Sequence, residues 1–288
     1  MIKYGMVIDV DKCTGCYNCF LACKDEYAGN DYLPYSAAQP LSGQYWMQVI
    51  EKERGAYPKV KVAYTPIPCM QCDNAPCIMA SSDGALYERD DGIVIIDPGK
   101  AVGRKEVVSA CPYRVIYWNE ERSIPQKCSF CAHLLDKGWK EPRCVEACPT
   151  GALVFGDLND SESDISKIVG RRKVEILHPE FGLKGGVSYI GLPKRFIAGE
   201  VVLADRPNEC AEGVKITLIN GKDSRTIETD NYGDFEFDGL PHNRSCTIRV
   251  DHKGYIPREM TVQTRLDINL GEVVLDPIKQ KTNNPKRR

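Results

Sequence analysis

The residues best suited to chemistry are cysteines, and the first four stand as Cys13-Thr-Gly-Cys16-Tyr-Asn-Cys19-Phe-Leu-Ala-Cys23. Spacings of two, two and three residues suit a run whose first three thiolates hold one [4Fe-4S] cluster while the fourth serves a second. Such a run needs a partner elsewhere in the chain. Cys69, Cys72 and Cys77 form a further group, Cys111-Pro112 stands alone, and Cys128, Cys131, Cys144 and Cys148-Pro149 form another; Cys210 and Cys246 lie apart.

An internal repeat accounts for the lone cysteine. When the opening run is laid over the later segment so that Cys23 meets Cys111, Ala22 meets Ala110, Gly15 meets Gly103, Lys12 meets Lys100 and Asp9 meets Asp97. Cys13, Cys16 and Cys19 then meet Ala101, Arg104 and Val107, none of which ligates iron. Laying Cys77-Ile-Met-Ala-Ser81 over Cys144-Val-Glu-Ala-Cys148 puts Ser81 where a fourth cysteine would stand. Ser81, Ala101, Arg104 and Val107 together make the three-plus-one ligand set of a single lost cluster. Ser81 alone is a poor candidate for an oxygen ligand, because its three partners are absent.

The pattern of loss reveals the pairing. With the second run paired to the third, Cys69, Cys72, Cys77 and Cys111 hold one cluster (cluster three). The outer runs then pair as Cys13, Cys16, Cys19 with Cys148 (cluster one), and Cys128, Cys131, Cys144 with Cys23 (cluster two). Sequential pairing would leave one cluster with three thiolates and Cys148 stranded. The rival reading is zinc, since cysteine pairs two residues apart also build zinc ribbons; the triplet with an added fourth cysteine and the Cys-Pro endings are instead ferredoxin features.

A chain of 288 residues must position these ligands, enough for two domains. Fourteen cysteines fall well short of the roughly 8 to 10% of a disulfide scaffold. The 38 basic against 40 acidic residues give no nucleic-acid footprint. Met1 to Asp9 reaches an acidic residue before a signal-peptide core could form, and no 18-residue apolar run occurs. A cytoplasmic location is expected, or export folded on a partner that bears a twin-arginine signal.

The expected fold is α+β: tandem ferredoxin-like [4Fe-4S] modules over 1–156, with an irregular, aromatic-rich covering insertion at 24–68. A connecting segment follows at 157–195, with Asn159 to Ser163 capping a short helix through Val169. From about Phe196 to 276, runs such as Val214-Lys-Ile216-Thr-Leu218 and Cys246-Thr-Ile248-Arg-Val250 alternate between turns, which argues an antiparallel β-sandwich of about seven strands. Residues 277–288 form a basic tail. Ile93 to Asp97 and Val115 to Trp118 read as short strands, with a helix within Val102 to Ala110. His133 reads as a solvated or hydrogen-bonding side chain, because the thiolates already close each cluster. Cys246 reads as a buried thiol, with a bridge to Cys210 left open. No P-loop, GxGxxG, HExxH or nucleophile elbow occurs, so no catalytic residue is expected.

Four nested runs, with Asp97-Pro-x-Lys100 before the third and Cys148-Pro-Thr-Gly-Ala152 ending the fourth, resemble the iron-sulfur beta subunits of the dimethyl-sulfoxide-reductase family of molybdenum enzymes. That family normally carries four clusters, so the lost site is a departure. The tail segments Gly213 to Leu218, Thr229 to Phe237 and Gly239 to Pro241 resemble transthyretin-like or carboxypeptidase-regulatory domains. With Arg54 to Pro58 and Pro68 to Cys77, the whole chain is similar to small subunits of the pyrogallol-phloroglucinol transhydroxylase type. The resemblance implies a heterodimer in which the large subunit carries molybdenum on two pterin guanine dinucleotides and acts on a polyphenol, with this chain as a non-catalytic electron carrier. Near rivals are beta subunits of resorcinol or catechol hydroxylases or dehydroxylases, or of another molybdopterin oxidoreductase. A freestanding polyferredoxin is a different class, against which the sandwich and the aromatic insertion argue.

Overall fold

The computed structural model describes residues 1–81 and 83–279, so that residues 280–288 of the basic tail lie outside the described residues. The chain forms two compact units, Met1–Lys52 with Ala63–Leu192, and Glu53–Val62 with Pro193 onward.

In the first unit β1 (Tyr4–Asp9) leads into the first cysteine run, and α1 (Asn18–Tyr27) carries its last two cysteines. A hairpin of nine-residue strands follows, β2 (Gln48–Ala56) and β3 (Lys59–Ile67). The insertion expected to be irregular is therefore partly regular; its turn is Tyr57-Pro58, and Gly55 lies in left-handed backbone at φ 88°. Short elements then alternate with the later cysteines: α2 (Pro76–Met79), β4 (Leu86–Glu88), β5 (Val94–Ile96), α3 (Glu106–Ser109), β6 (Tyr117–Asn119), β7 (Ile124–Gln126), α4 (Ala132–Leu135) and α5 (Arg143–Glu146). The helix expected within 102–110 shrinks to the single turn of α3. β4–β5 and β6–β7 are antiparallel hairpins. β8 (Leu153–Asp157), α6 (Asp164–Arg171) and β9 (Val187–Ile190) complete the unit.

β1 is the middle strand of its sheet, antiparallel to β8 and parallel to β9. Its alternation serves two faces, as a strand's period of two requires. Met6 and Ile8 join the core around the cysteines, while Val7 packs with Ile165 of α6 and Ile190 of β9. Ser163 caps α6, its hydroxyl accepting the Ser166 N–H at 3.2 Å, an arrangement typically stabilising by about 1 kcal/mol. The segment 157–195, expected to connect the halves, thus supplies α6 and β9 to the cysteine-bearing unit.

From Pro193 on, the described residues of the second unit form seven strands: β10 (Arg195–Leu203), β11 (Lys215–Asn220), β12 (Asp223–Glu228), β13 (Asp234–Leu240), β14 (Ser245–Asp251), β15 (Arg258–Gln263) and β16 (Ile268–Leu275). They form two sheets, β13-β10-β16 and β12-β11-β14-β15. Ile197, Val201, Phe235 and Phe237 from one sheet pack with Ile216, Leu218, Ile248 and Val250 from the other. All pairings are antiparallel except β10–β16, which is parallel. Cys246 is buried in this core, Cys210 is exposed, and both are free. Among the described residues no helix is long and apolar enough to cross a membrane.

Candidate functional site

The loops that hold the cysteines carry unusual backbone. Among the described residues nine that are not glycine have positive φ, and six of them, Tyr17, Gln71, Asn74, Arg114, Phe130 and Cys131, lie within three residues of a cysteine of the runs. Left-handed residues among right-handed ones turn successive N–H groups toward one point and make concavities that favour anions. At Cys128 this is explicit, for the Phe130 N–H donates to its sulfur at 3.4 Å.

Cys69, Cys72, Cys77 and Cys111 line one cavity, closed by Val94, Tyr113 and Ile116. Cys13 is influenced by the charges of Cys148 and Cys16, and Cys19 by those of Cys13, Cys148 and Cys16. Cys23 is influenced by Cys128 and Cys131, and Cys144 by Cys131, Cys128 and Cys23. Neighbouring groups adjoin: Cys19 reaches Cys23 and Cys144, while Cys69 reaches Cys128. The group of Cys23, Cys128, Cys131 and Cys144 therefore adjoins both of the others. All four of these are buried, whereas Cys16 is exposed and Cys13 and Cys148 are half-buried.

Burial pushes the thiols of Cys19, Cys72 and Cys128 up to about 12 and those of Cys77 and Cys131 to about 11, with Cys23 and Cys144 well above their ordinary value. Cys148 is the exception. Burial raises it, yet the N–H groups of Leu153, Thr150 and Ala152 and the Thr150 hydroxyl bring it below its ordinary value. Crowded buried thiols stay protonated unless a cation replaces the protons, which is the chemistry of a metal-thiolate site. Among the described residues no three Cys, His, Asp or Glu side chains converge on a point for a single metal ion. Thiolates around a four-iron cube each bond a different iron. Four thiols on one cavity, with N–H donors aimed at sulfur, form a donor set that fits such a cube.

The positions that lack cysteines are packed. Ala101 and Val107 are fully buried among Ala75, Ala85, Leu86, Val94, Ile96 and Ile116. Ser81 donates to Asp83 Oδ1 at 2.7 Å, and Arg104 pairs with the other oxygen of Asp83. Hydrocarbon and an ion pair occupy these positions, a set that does not fit a cluster.

Sequence reasoning missed several residues around the thiols. The buried Tyr27 hydroxyl is hydrogen-bonded to Cys131 and lies 3.0 Å from Ser129 Oγ. Gln71, also buried, donates to the Cys128 carbonyl at 3.2 Å and accepts from the Val94 N–H at 2.9 Å. Lys127 donates to the carbonyls of Val94 and Cys128, the latter at 3.1 Å. Only Lys127 had a sequence signal, its place beside Cys128. His133 is buried rather than solvated; it hydrogen-bonds Glu26 Oε1 at 2.9 Å and stacks on Tyr32 at 3.8 Å.

Comparison with known proteins agrees with this geometry. A family described as a 4Fe-4S dicluster domain matches residues 60–158. The chain is similar to the pyrogallol hydroxytransferase small subunit of Pelobacter acidigallici, at 40% identity over 96% of this chain and 100% of that one. It is also similar to the iron-sulfur subunit of a putative dimethyl sulfoxide reductase of Halobacterium salinarum, at 34% identity over 66% of this chain and 79% of that one. A tetrathionate reductase subunit of Salmonella typhimurium is 34% identical over 68% and 75% respectively. Taken with the cysteine-lined core, these relatives show that the chain belongs to the iron-sulfur small subunits of the dimethyl-sulfoxide-reductase family of molybdopterin enzymes.

Proposed function

We propose that this electron-transfer subunit holds three [4Fe-4S] clusters: cluster one on Cys13, Cys16, Cys19 and Cys148; cluster two on Cys128, Cys131, Cys144 and Cys23; and cluster three on Cys69, Cys72, Cys77 and Cys111. The observation that carries the count is a contrast within the inner module. Four thiols share one cavity on one side, while Ser81, Ala101, Arg104 and Val107 are packed with hydrocarbon and an ion pair on the other.

The clusters supply one-electron redox chemistry, and the chain's own residues set where it occurs. Exposure at Cys16 supports cluster one as the point of exchange with a partner, and the burial of Cys23, Cys128, Cys131 and Cys144 supports an insulated middle group. The partner is a large subunit with molybdenum on two pterin guanine dinucleotides. Similarity along nearly the whole chain to the pyrogallol hydroxytransferase small subunit supports a complex that moves hydroxyl groups between polyphenols. The seven-stranded unit is of the transthyretin-like or carboxypeptidase-regulatory type on this reading, and the complex is cytoplasmic.

Two measurements test the proposal. Iron and acid-labile sulfide should each be about twelve per chain; sixteen would restore the fourth cluster and overturn the count. The complex that co-purifies with this chain should convert pyrogallol to phloroglucinol. A chain that purifies alone, or a molybdenum partner inert toward polyphenols, would overturn that part.

A further inference from the structure

Lys127 is the most deeply buried cation near the thiols, with 4% of its surface exposed. Taking an ammonium out of water is costly unless an opposite charge meets it. Its Nζ donates to the carbonyls of Val94 and Cys128, but among the described residues no carboxylate pairs with it. The Val94 carbonyl belongs to the strand that lines the cavity of Cys69, Cys72, Cys77 and Cys111. Cys128 belongs to the middle group. Nζ is therefore held between two thiol groups by one carbonyl from each side, and Gln71 braces the same pair through the Cys128 carbonyl and the Val94 N–H.

We infer that Lys127 is the shared counter-charge of clusters two and three, and that its fixed ammonium makes both easier to reduce than the surrounding burial would allow. The inference rests on the ligand assignment under Proposed function. A cluster with four thiolate ligands is anionic and gains one further negative charge when it takes up an electron. Burial opposes that gain, and a cation at close range offsets the opposition. The electron comes from the partner's molybdenum centre, or from a chemical mediator in a titration. No bond is made or broken at Lys127.

The test is a redox titration of the intact complex followed by electron paramagnetic resonance. Wild type is compared with Lys127→Met, Lys127→Gln and Lys127→Arg, with iron counted in each. An opposite charge at close range shifts a proton equilibrium by about one to three units, and the same field acts on an electron. Both neutral variants should therefore lower the reduction equilibrium of clusters two and three by about tenfold or more, which is about 59 mV for a one-electron couple. Cluster one should keep its midpoint, and Lys127→Arg should stay near wild type in all three. Lys127→Gln separates charge from hydrogen bonding, because an amide can still donate to the two carbonyls. Wild-type midpoints in an iron-replete Lys127→Gln complex would overturn the inference, as would an equal shift of cluster one. If a neutral variant loses iron, loss confined to clusters two and three and reversed in Lys127→Arg supports the inference; loss that includes cluster one overturns it. A wild-type iron count other than about twelve would instead count against the ligand assignment.

Discussion

Gly15, inside the first cysteine run, lies in left-handed backbone at φ 69° beneath the ring of Tyr64. A β-carbon added there would stand 2.6 Å from Tyr64 Cγ, closer than real contacts allow, and the backbone conformation is itself unfavourable for alanine. Gly15→Ala should therefore distort the loop between Cys13 and Cys16 and cost the iron of cluster one while sparing cluster three. Iron analysis with cluster-resolved spectroscopy measures this, and full iron with unchanged spectra would refute it. Which residues were legible from sequence follows from where their partners lie. A cysteine run announces itself through spacing, so the twelve cysteines proposed as ligands stand out in the sequence alone. Tyr27 meets Ser129 across more than a hundred positions, and Gln71 braces Val94 and Cys128 through main-chain atoms that have no sequence signature. His133 carried a local cue, its place after Cys131, but its burial against Tyr32 and Glu26 is a product of tertiary packing.

Among the elements, α6 and the strands of the second unit follow from capping and period-two alternation; the pattern of β14, with Cys246, Ile248 and Val250 inward, is an instance. The β2–β3 hairpin was missed because its exposed strands alternate weakly. β9 was missed because it is four residues long and is fixed by pairing with β1. The tip of the hairpin joins the second unit through charge. Lys61 donates to Asp238 Oδ2 at 2.6 Å and also pairs with Glu236. Burial pushes the Asp238 carboxyl up, but the Lys61 ammonium hydrogen-bonded to it brings it below its ordinary value of 3.8. A carboxyl depressed in the folded state adds stability above its unfolded value, and that stability is lost as pH falls through the folded one. The urea midpoint of the β unit should accordingly drop as pH falls below about 4. Asp238→Asn should show a lower midpoint near neutrality and a flatter acid limb. An unchanged acid limb would show that other carboxyls dominate.

For the molecule as a whole, the sequence offset behind the proposed lost site also predicts what happens if cysteines are placed there. Ala101 and Val107 have no exposed surface and sit in a shared apolar core, and Arg104 and Ser81 both engage Asp83. Protein interiors are close-packed, so removing the chemical obstacle leaves the spatial one in place. The combined variant Ser81→Cys, Ala101→Cys, Arg104→Cys and Val107→Cys should keep the wild-type iron content. A gain of about four iron per chain would show instead that the packing yields to a cube. The same whole-chain view explains what composition could and could not supply: near-neutral charge and cysteine count constrained the class of protein, but the assignment of residues 157–192 to the cysteine-bearing unit depends on pairings that only the folded chain displays. One such pairing has a consequence in time. The neighbours of β1 (Tyr4–Asp9) in the sheet, Leu153–Asp157 and Val187–Ile190, lie far along the chain from it. At synthesis rates of about 5 to 20 residues per second, about 10 to 40 s separate the making of this apolar strand from that of its second neighbour, so β1 waits with one edge uncovered while most of the cysteine-bearing unit is still being made.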